Sequence, residues 1–433
     1  MSYLGKVRPT IALTSSDIED NAVITSKIID DAVTSAKIDD ATIVNADVNA
    51  SAGIVQSKLA TLVIDTAELA ADAVTPAKMA NSAYLANRNT IINGAMEISQ
   101  RSTSVAAITN DGFYTVDRWK IFNDTLGTFT MSQSTTAPTD QGFSSSLKMD
   151  CTTADATPAA ADRLGIRYYY EGYDIQNLKY ATSNAESTTI SFWVRSSKTG
   201  TYIVELYGVT AGRQISKAYT ISVADTWEKK TITFAGDTAG TYNNDNTGEL
   251  LVSFWLGTGS NYSSGTLNQS WAAVNHVNRA VGQVNIADST SGDWYITGIQ
   301  LEVGDSATPF EHKTFGQELE DCKRYWQKSY AYGTALGTAT QSGNSMIYMT
   351  NLNTSTYTLY YENHFDKAMR AAPTVTAYDS SAGTSGSVDM SGVPTTAGID
   401  QQTERTCRVY NGATTPSSPI RSINFQWQAD AEL

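Results

Sequence analysis

The sequence predicts a mainly β protein: an elongated, oligomeric repeat shaft, then a jelly-roll β-sandwich, one connecting helix and a smaller C-terminal β-domain. Three observations carry this expectation. Aliphatic residues recur every five positions over the first part of the chain, 41 of its 42 aromatic residues lie at or beyond Tyr84, and beyond that point short alternating runs are separated by Gly, Asn, Asp and Ser. A length of 433 residues accommodates two or three domains.

The aliphatic column comprises Leu13, Ile18, Val23, Ile28, Val33, Ile38, Ile43 and Val48. It resumes, after one extra residue beside Gly53, with Ile54, Leu59, Ile64, Leu69, Val74 and Met79. A period of five matches neither the 3.6 of a helix, the 2 of a strand nor the 3.5 of a coiled coil. The pentads alternate in kind, as in AVTSAKIDDA, which gives a unit of about ten residues. Residues 4–83 contain no Phe, Tyr or Trp. Burial at ~25 cal/mol per Å² of such single aliphatics does not offset an ordering cost of ~1.5 kcal/mol per residue. Copies lying side by side would bury the column along a shared axis, so residues 16–87 read as an oligomeric shaft and the extra residue as a change of register. The alternative is a disordered acidic linker, since residues 14–80 carry a net charge of −7. A linker, however, requires no aliphatic register.

Composition narrows the partners. The net charge is −14 with no basic cluster, which argues against a nucleic-acid or anionic-membrane partner. Cys151, Cys322 and Cys407 are too far apart for a disulfide framework or a metal motif and read as free thiols. No apolar run approaches a membrane span and MSYLGKVRPTIALTSS lacks a signal-peptide core, so the expectation is a soluble chain made in the cytoplasm, without membrane insertion.

Residues 88–312 read as the sandwich. In TTISFWVRSS, Ile190, Phe192 and Val194 face one way and Trp193 and Arg195 the other; in ELLVSFWLGTG, Leu250, Val252, Phe254 and Leu256 oppose Leu251, Ser253 and Trp255. TGTYIVELYGV, TWEKKTITFAG and DWYITGIQLEV complete a set of at least five strands. Residues 313–330 follow as the connecting helix: FGQELEDCKRYWQKSY aligns Leu319, Cys322, Lys323 and Trp326, with Phe315 one turn earlier. Residues 331–433 return to short alternating runs and form the smaller β-domain.

Several segments are similar to a known family. RNTIINGAMEISQRSTS (88–104), YTVDRW (114–119) and WYITGIQLEVGDSATPFEHKTFGQELEDCKRYWQ (294–327) resemble the carbohydrate-binding-module-like domain of bacteriophage tail-fibre proteins. MRAAPTVTAYDSSAG (369–383) and ADAEL (429–433) resemble their distal portion, and the DDAVTSAKI units their N-terminal shafts. The resemblance implies a homotrimeric virion fibre whose residues 1–15 attach to the phage tail or an adaptor protein, and whose distal domains bind a host cell-surface glycan. Such a fibre would assemble in the host cytoplasm.

No motif marks catalysis. His276, His312 and His364 are widely separated, and no nucleophile elbow or phosphate-binding loop occurs. A capsule or lipopolysaccharide depolymerase working through two carboxylates is the enzymatic alternative, and a purely structural spacer a further one. A pair such as Glu171 and Asp174 reads better as a solvated turn. The expectation is therefore a non-enzymatic adhesin without a resident cofactor. A structural calcium ion, held near Asp293 or Glu302, is what sugar modules of this kind would add.

Sugar binding needs aromatic rings and polar groups on a face away from the core. Strand parity nominates Trp193 with Arg195, Tyr207 with Glu205, Trp255 with Ser253, and Tyr169, the odd one out in Tyr168-Tyr169-Tyr170. The competing reading is that this face is covered by loops or by a neighbouring subunit. Trp119 and Trp294 read as core. In the C-terminal domain, Tyr357, Tyr361, Tyr410 and Trp427, with the loops 380–387 and 412–418, are the candidates for recognition at a fibre tip.

Overall fold

The computed structural model describes residues 87–350, 358–412 and 420–433, together with isolated positions between 14 and 38. The chain divides into two compact units, residues 1–73 and 74–433.

In the first unit the Ala22 amide donates to the Glu19 carbonyl at 2.9 Å and the Ala32 amide to the Ile29 carbonyl at 3.0 Å. A tight turn closed from residue i to i+3 thus recurs at the spacing of the longer repeat. Ile28 and Ile38, the two column residues described, are 45% and 39% exposed. Leu13, Ile18, Val23, Val33, Ile43, Val48, Ile54, Leu59, Ile64, Leu69, Val74 and Met79 lie outside the described residues, and so does the register change near Gly53.

The second unit begins with a sandwich of twelve strands: β1 (Ser104–Ile108), β2 (Lys120–Asp124), β3 (Thr128–Ser134), β4 (Ser146–Thr153), β5 (Arg163–Glu171), β6 (Thr188–Ser196), β7 (Gly200–Gly208), β8 (Arg213–Ile221), β9 (Glu228–Phe234), β10 (Gly248–Thr258), β11 (Ala272–Ala273) and β12 (Asp293–Val303). One six-stranded sheet runs β1-β3-β4-β12-β6-β9 and the other β11-β8-β7-β10-β5-β2. All these pairings are antiparallel, and the chain crosses between the sheets at β1–β2, β2–β3, β4–β5, β5–β6, β6–β7, β8–β9, β9–β10 and β11–β12, as in a jelly roll. Alternation decides which side chains meet between the sheets. Phe192 of β6 packs edge-on against Phe254 of β10 at 5.0 Å, and Trp119 and Trp294 lie against the same phenyl ring at 6.3 and 6.2 Å.

The long segment between β10 and β12 contains a one-turn helix, α1 (Ser260–Ser263), and crosses the outer face of the second sheet. Its Ala280, Tyr262 and Leu267 pack with Phe122, Ile203 and Trp255 into a small core of their own. Gly165 makes room for this cluster: a Cβ there would stand 2.4 Å from the Phe122 ring.

The helix expected over 315–330 is shorter. Helix α2 spans Phe315–Lys323, and a capping box between Thr314 and Gln317 sets its start. Cys322 is buried, Leu319 half-buried and Phe315 exposed. Trp326 leaves the expected helical stripe because β13 (Trp326–Lys328) pairs with β20 (Ile420–Asp430), and tertiary strand pairing overrides the local pattern. Between them lie β14 (Ser345–Thr350), β15 (Tyr360–His364), β16 (Thr374–Asp379), β17 (Ser387–Met390), β18 (Val393–Asp400) and β19 (Thr406–Asn411), and all eight strands join one antiparallel sheet.

This sheet is locked to the sandwich through buried ionic contacts. The Arg118 guanidinium pairs with Glu432, donates to the Tyr169 carbonyl at 2.7 Å and lies 3.3 Å over the Tyr325 ring. Arg324 meets Glu171 with two hydrogen bonds of 2.7 and 2.6 Å, and the Tyr325 hydroxyl donates to the same carboxylate at 2.6 Å. Among the described residues, no helix is long and apolar enough to cross a membrane.

Candidate functional site

Strand register aligns two rows of side chains across the outer face of the second sheet. Direct pairings give one row as Ser216, Glu205, Ser253, Arg167 and Lys120 across β8, β7, β10, β5 and β2. The adjacent row is Gln214, Tyr207, Leu251 and Tyr169. Residues directly opposite one another share a face, and the intervening Ile215, Leu206, Val252 and Tyr168 are in the core, so both rows point outward. Tyr207 and Tyr169 are half-buried and flank Leu251, one strand spacing of about 4.8 Å to either side.

The polar row is unusually under-satisfied. Among the described residues, the Ser216 and Ser253 hydroxyls, both polar atoms of the Gln214 amide and the Arg167 Nε are buried without a hydrogen-bond partner. Such groups are ordinarily paired in a folded protein. Gln214, Ser216 and Ser253 are at most 1% exposed, covered like Trp255 by the overlying segment, so of this row it is Arg167 and Lys120 that lie toward the open part of the face. Glu205 is satisfied: Arg279 grips its carboxylate with two bonds of 2.8 Å and the Trp255 indole donates at 3.3 Å. Burial pulls the Arg279 pKa down, but Glu205 more than compensates, leaving the guanidinium above its ordinary value and charged. The same guanidinium lies 5.0 Å over Tyr207 and forms one wall of the face.

Of the five sugar-binding candidates, this sheet brings together Tyr169 and Tyr207. Trp255 lies on the same face but is fully buried beneath the 259–283 segment, so it supports the floor and cannot present a ring. Alternation had identified its side of the strand correctly; the overlying segment has no periodicity to announce it. Trp193 and Arg195 stand on the outer face of the other sheet, on the far side of the sandwich. Arg195 is bound to Asp225 at 2.9 Å and stacks 4.9 Å over Tyr295, which Lys148 covers at 5.4 Å. Arg167, Gln214 and Ser216 were not nominated. Arg167 shares the parity of Tyr169, which is the signal that identifies it; Gln214 and Ser216 join the face only through strand pairing.

In the C-terminal sheet, Tyr361 turns inward, edge-on to Phe425 at 5.5 Å, so it is not a tip residue. Its neighbour Tyr360 is exposed instead and lies 5.4 Å from Tyr410. Trp427 is buried against Phe365 at 5.5 Å, and Tyr357 lies outside the described residues. Glu171 is no solvated loop carboxylate, being wholly buried against Arg324 and Tyr325.

The two residues considered for calcium do not fit an ion. Asp293 and Glu302 stand at opposite ends of β12, and both Glu302 oxygens accept from protein groups: Oε1 from the Gln300 amide at 2.9 Å and the Thr308 amide at 2.8 Å, Oε2 from the Thr308 hydroxyl at 2.6 Å. Among the described residues no group of three or more His, Cys, Asp or Glu side chains converges on a point that could hold a metal.

No protein-family model matches the chain, and no curated protein matches it. Among solved structures it is similar to the enzymatically active domain of tailspike protein 4 of bacteriophage CBA120, at 11% identity and a TM-score of 0.26, over 50% of this chain and 21% of that one. It is also similar to TmCBM61 in complex with β-1,4-galactotriose, at 10% identity and a TM-score of 0.26, over 50% of this chain and 99% of that one. A third likeness is to the CBM22-1 xylan-binding domain of Paenibacillus barcinonensis Xyn10C, at 9% identity and a TM-score of 0.26, over 52% of this chain and all of that one. Likenesses at these TM-scores carry no argument about function.

Proposed function

We propose that the protein is a bacteriophage tail fibre that binds a host cell-surface glycan without cleaving it, through the outer face of the second sheet. The observation that carries this reading is the pair of half-buried, outward-facing rings of Tyr169 and Tyr207 beside the Arg167 guanidinium and the Lys120 ammonium. Aromatic rings supply the surface on which the apolar face of a pyranose stacks, and hydroxyl, amide and guanidinium groups take its hydroxyls. The fibre assignment rests on the pentad column and on the resemblance of the flanking segments. Exposure of Ile28 and Ile38 in a single chain supports a shaft of several chains, in which those side chains would be covered. In this reading residues 1–15 attach to the tail, three chains share the shaft, and three weak sites act together through effective concentration.

The test incubates the full-length protein with purified cell-surface polysaccharide of the host. Retention of the polysaccharide with no new reducing ends is expected. Shortened chains would make the protein a depolymerase, and absence of retention would leave only a structural spacer.

A further inference from the structure

We infer that the same face selects an anionic glycan, one bearing a carboxylate or a phosphate, and that Arg167 and Lys120 hold the anion. The inference rests on the glycan-binding reading above and adds the class of sugar.

Arg167 and Lys120 are directly opposed on β5 and β2. Like charges in that position repel, because their Cβ atoms are only about 5 Å apart. Of the carboxylates on this face, Glu205 is held by Arg279, Asp124 by Arg163 and Glu171 by Arg324, while Glu249, two residues along β10 from Leu251, accepts from the Thr210 hydroxyl at 2.7 Å. Among the described residues, Arg167 and Lys120 enter no ion pair. Beyond a 3.4 Å hydrogen bond donated by Arg167 to the Tyr169 hydroxyl, their contacts are with rings: Arg167 lies 4.1 Å over Phe122, and Lys120 5.4 Å over Tyr169 and 5.5 Å over Phe113.

Arg167 is only 8% exposed, and its Nε is buried without a partner. A buried guanidinium without a counter-charge is costly, and the cost is relieved when an anion meets it. Two adjacent cations in a chain of net charge −14 are therefore a local exception to the acidity of the molecule. A guanidinium offers parallel N–H groups that match a carboxylate or a phosphate, and an ammonium beside it adds a point charge. The neutral part of the sugar would lie across Leu251 toward Tyr207, whose ring offers it a stacking surface.

The experiment measures binding of the full-length protein, and of its Lys120→Ala, Arg167→Gln and Tyr169→Ala variants, to an array of neutral, carboxylated and phosphorylated oligosaccharides. Retention confined to acidic sugars is expected, weakened by added salt and reduced roughly tenfold or more by Lys120→Ala. The carboxylated and phosphorylated arms distinguish the source of the anion. Retention of neutral sugars that falls in Tyr169→Ala and is unchanged in Lys120→Ala would overturn the anion claim and leave the glycan site standing. No retention of any sugar would overturn both. Lys120 is partly exposed at the rim, so its variant decides the matter even if Arg167→Gln fails to fold.

Discussion

Tyr169 and Tyr207 face outward because each alternates with a core residue on its strand, and removing either ring should weaken glycan binding more than it weakens the fold. We expect Tyr169→Ala and Tyr207→Ala each to reduce affinity roughly tenfold, the scale of a lost aromatic contact, with thermal unfolding little changed. Calorimetric titration against the captured sugar measures this directly. A second residue governs pH dependence. Asp117 is fully buried, and burial pushes its carboxyl up to about 6 against the lowering pull of Arg101 and Gln100. The folded state therefore binds a proton more tightly than the unfolded chain, so this group's contribution to stability falls as pH rises from about 4 to 6 and stays low above that. Urea unfolding between pH 4 and 7 should show this slope in the wild type, and Asp117→Asn should flatten it. Parity along a strand exposed Tyr169 and Tyr207 in the sequence, and it could have exposed Arg167 as well. What parity does not reveal is cover, and Trp255 was misjudged for that reason.

At the scale of elements, the strands with clean alternation were legible: β6, β7, β10 and β12 match the runs read from the sequence. The end of α2 was not, because Arg324, Tyr325 and Trp326 fit a helical stripe as well as they fit β13, and only the distant β20 decides between them. The joint between the sandwich and the C-terminal sheet was equally hidden, since Arg118 and Glu432 are more than three hundred positions apart and meet only in the folded unit. Both are buried, so removing one partner leaves an uncompensated charge. Glu432→Ala is expected to destabilise this unit by ~3–5 kcal/mol, read from denaturant midpoints. At the start of α2, Thr314→Ala removes one capping bond and should cost only ~1 kcal/mol. A similar loss from the two substitutions would show that the joint is weaker than its geometry indicates.

At the scale of the whole molecule, the proposed role of the five-residue column is to hold copies of the proposed binding face together. The hydrogen bonds from Ala22 to Glu19 and from Ala32 to Ile29 give the repeat a physical unit, while the threefold number comes from resemblance alone. Light scattering of the full-length protein should return the mass of three 46.7 kDa chains, and a monomer would contradict the shaft. Breaking the column by Ile28→Asp and Ile38→Asp together should shift that mass downward without unfolding the sandwich. Loss of the oligomer should also lower apparent affinity for cells by far more than for a soluble oligosaccharide, since only the former engages several sites at once.

The most direct test of the central claim is an experimental structure of the full-length protein with the oligosaccharide it retains. The account predicts sugar density across the outer face of the second sheet, against Tyr169 and Tyr207 and within hydrogen-bonding reach of Arg167 and Lys120. Density confined to the Trp193 face of the other sheet, or to the C-terminal sheet around Tyr360 and Tyr410, would contradict it.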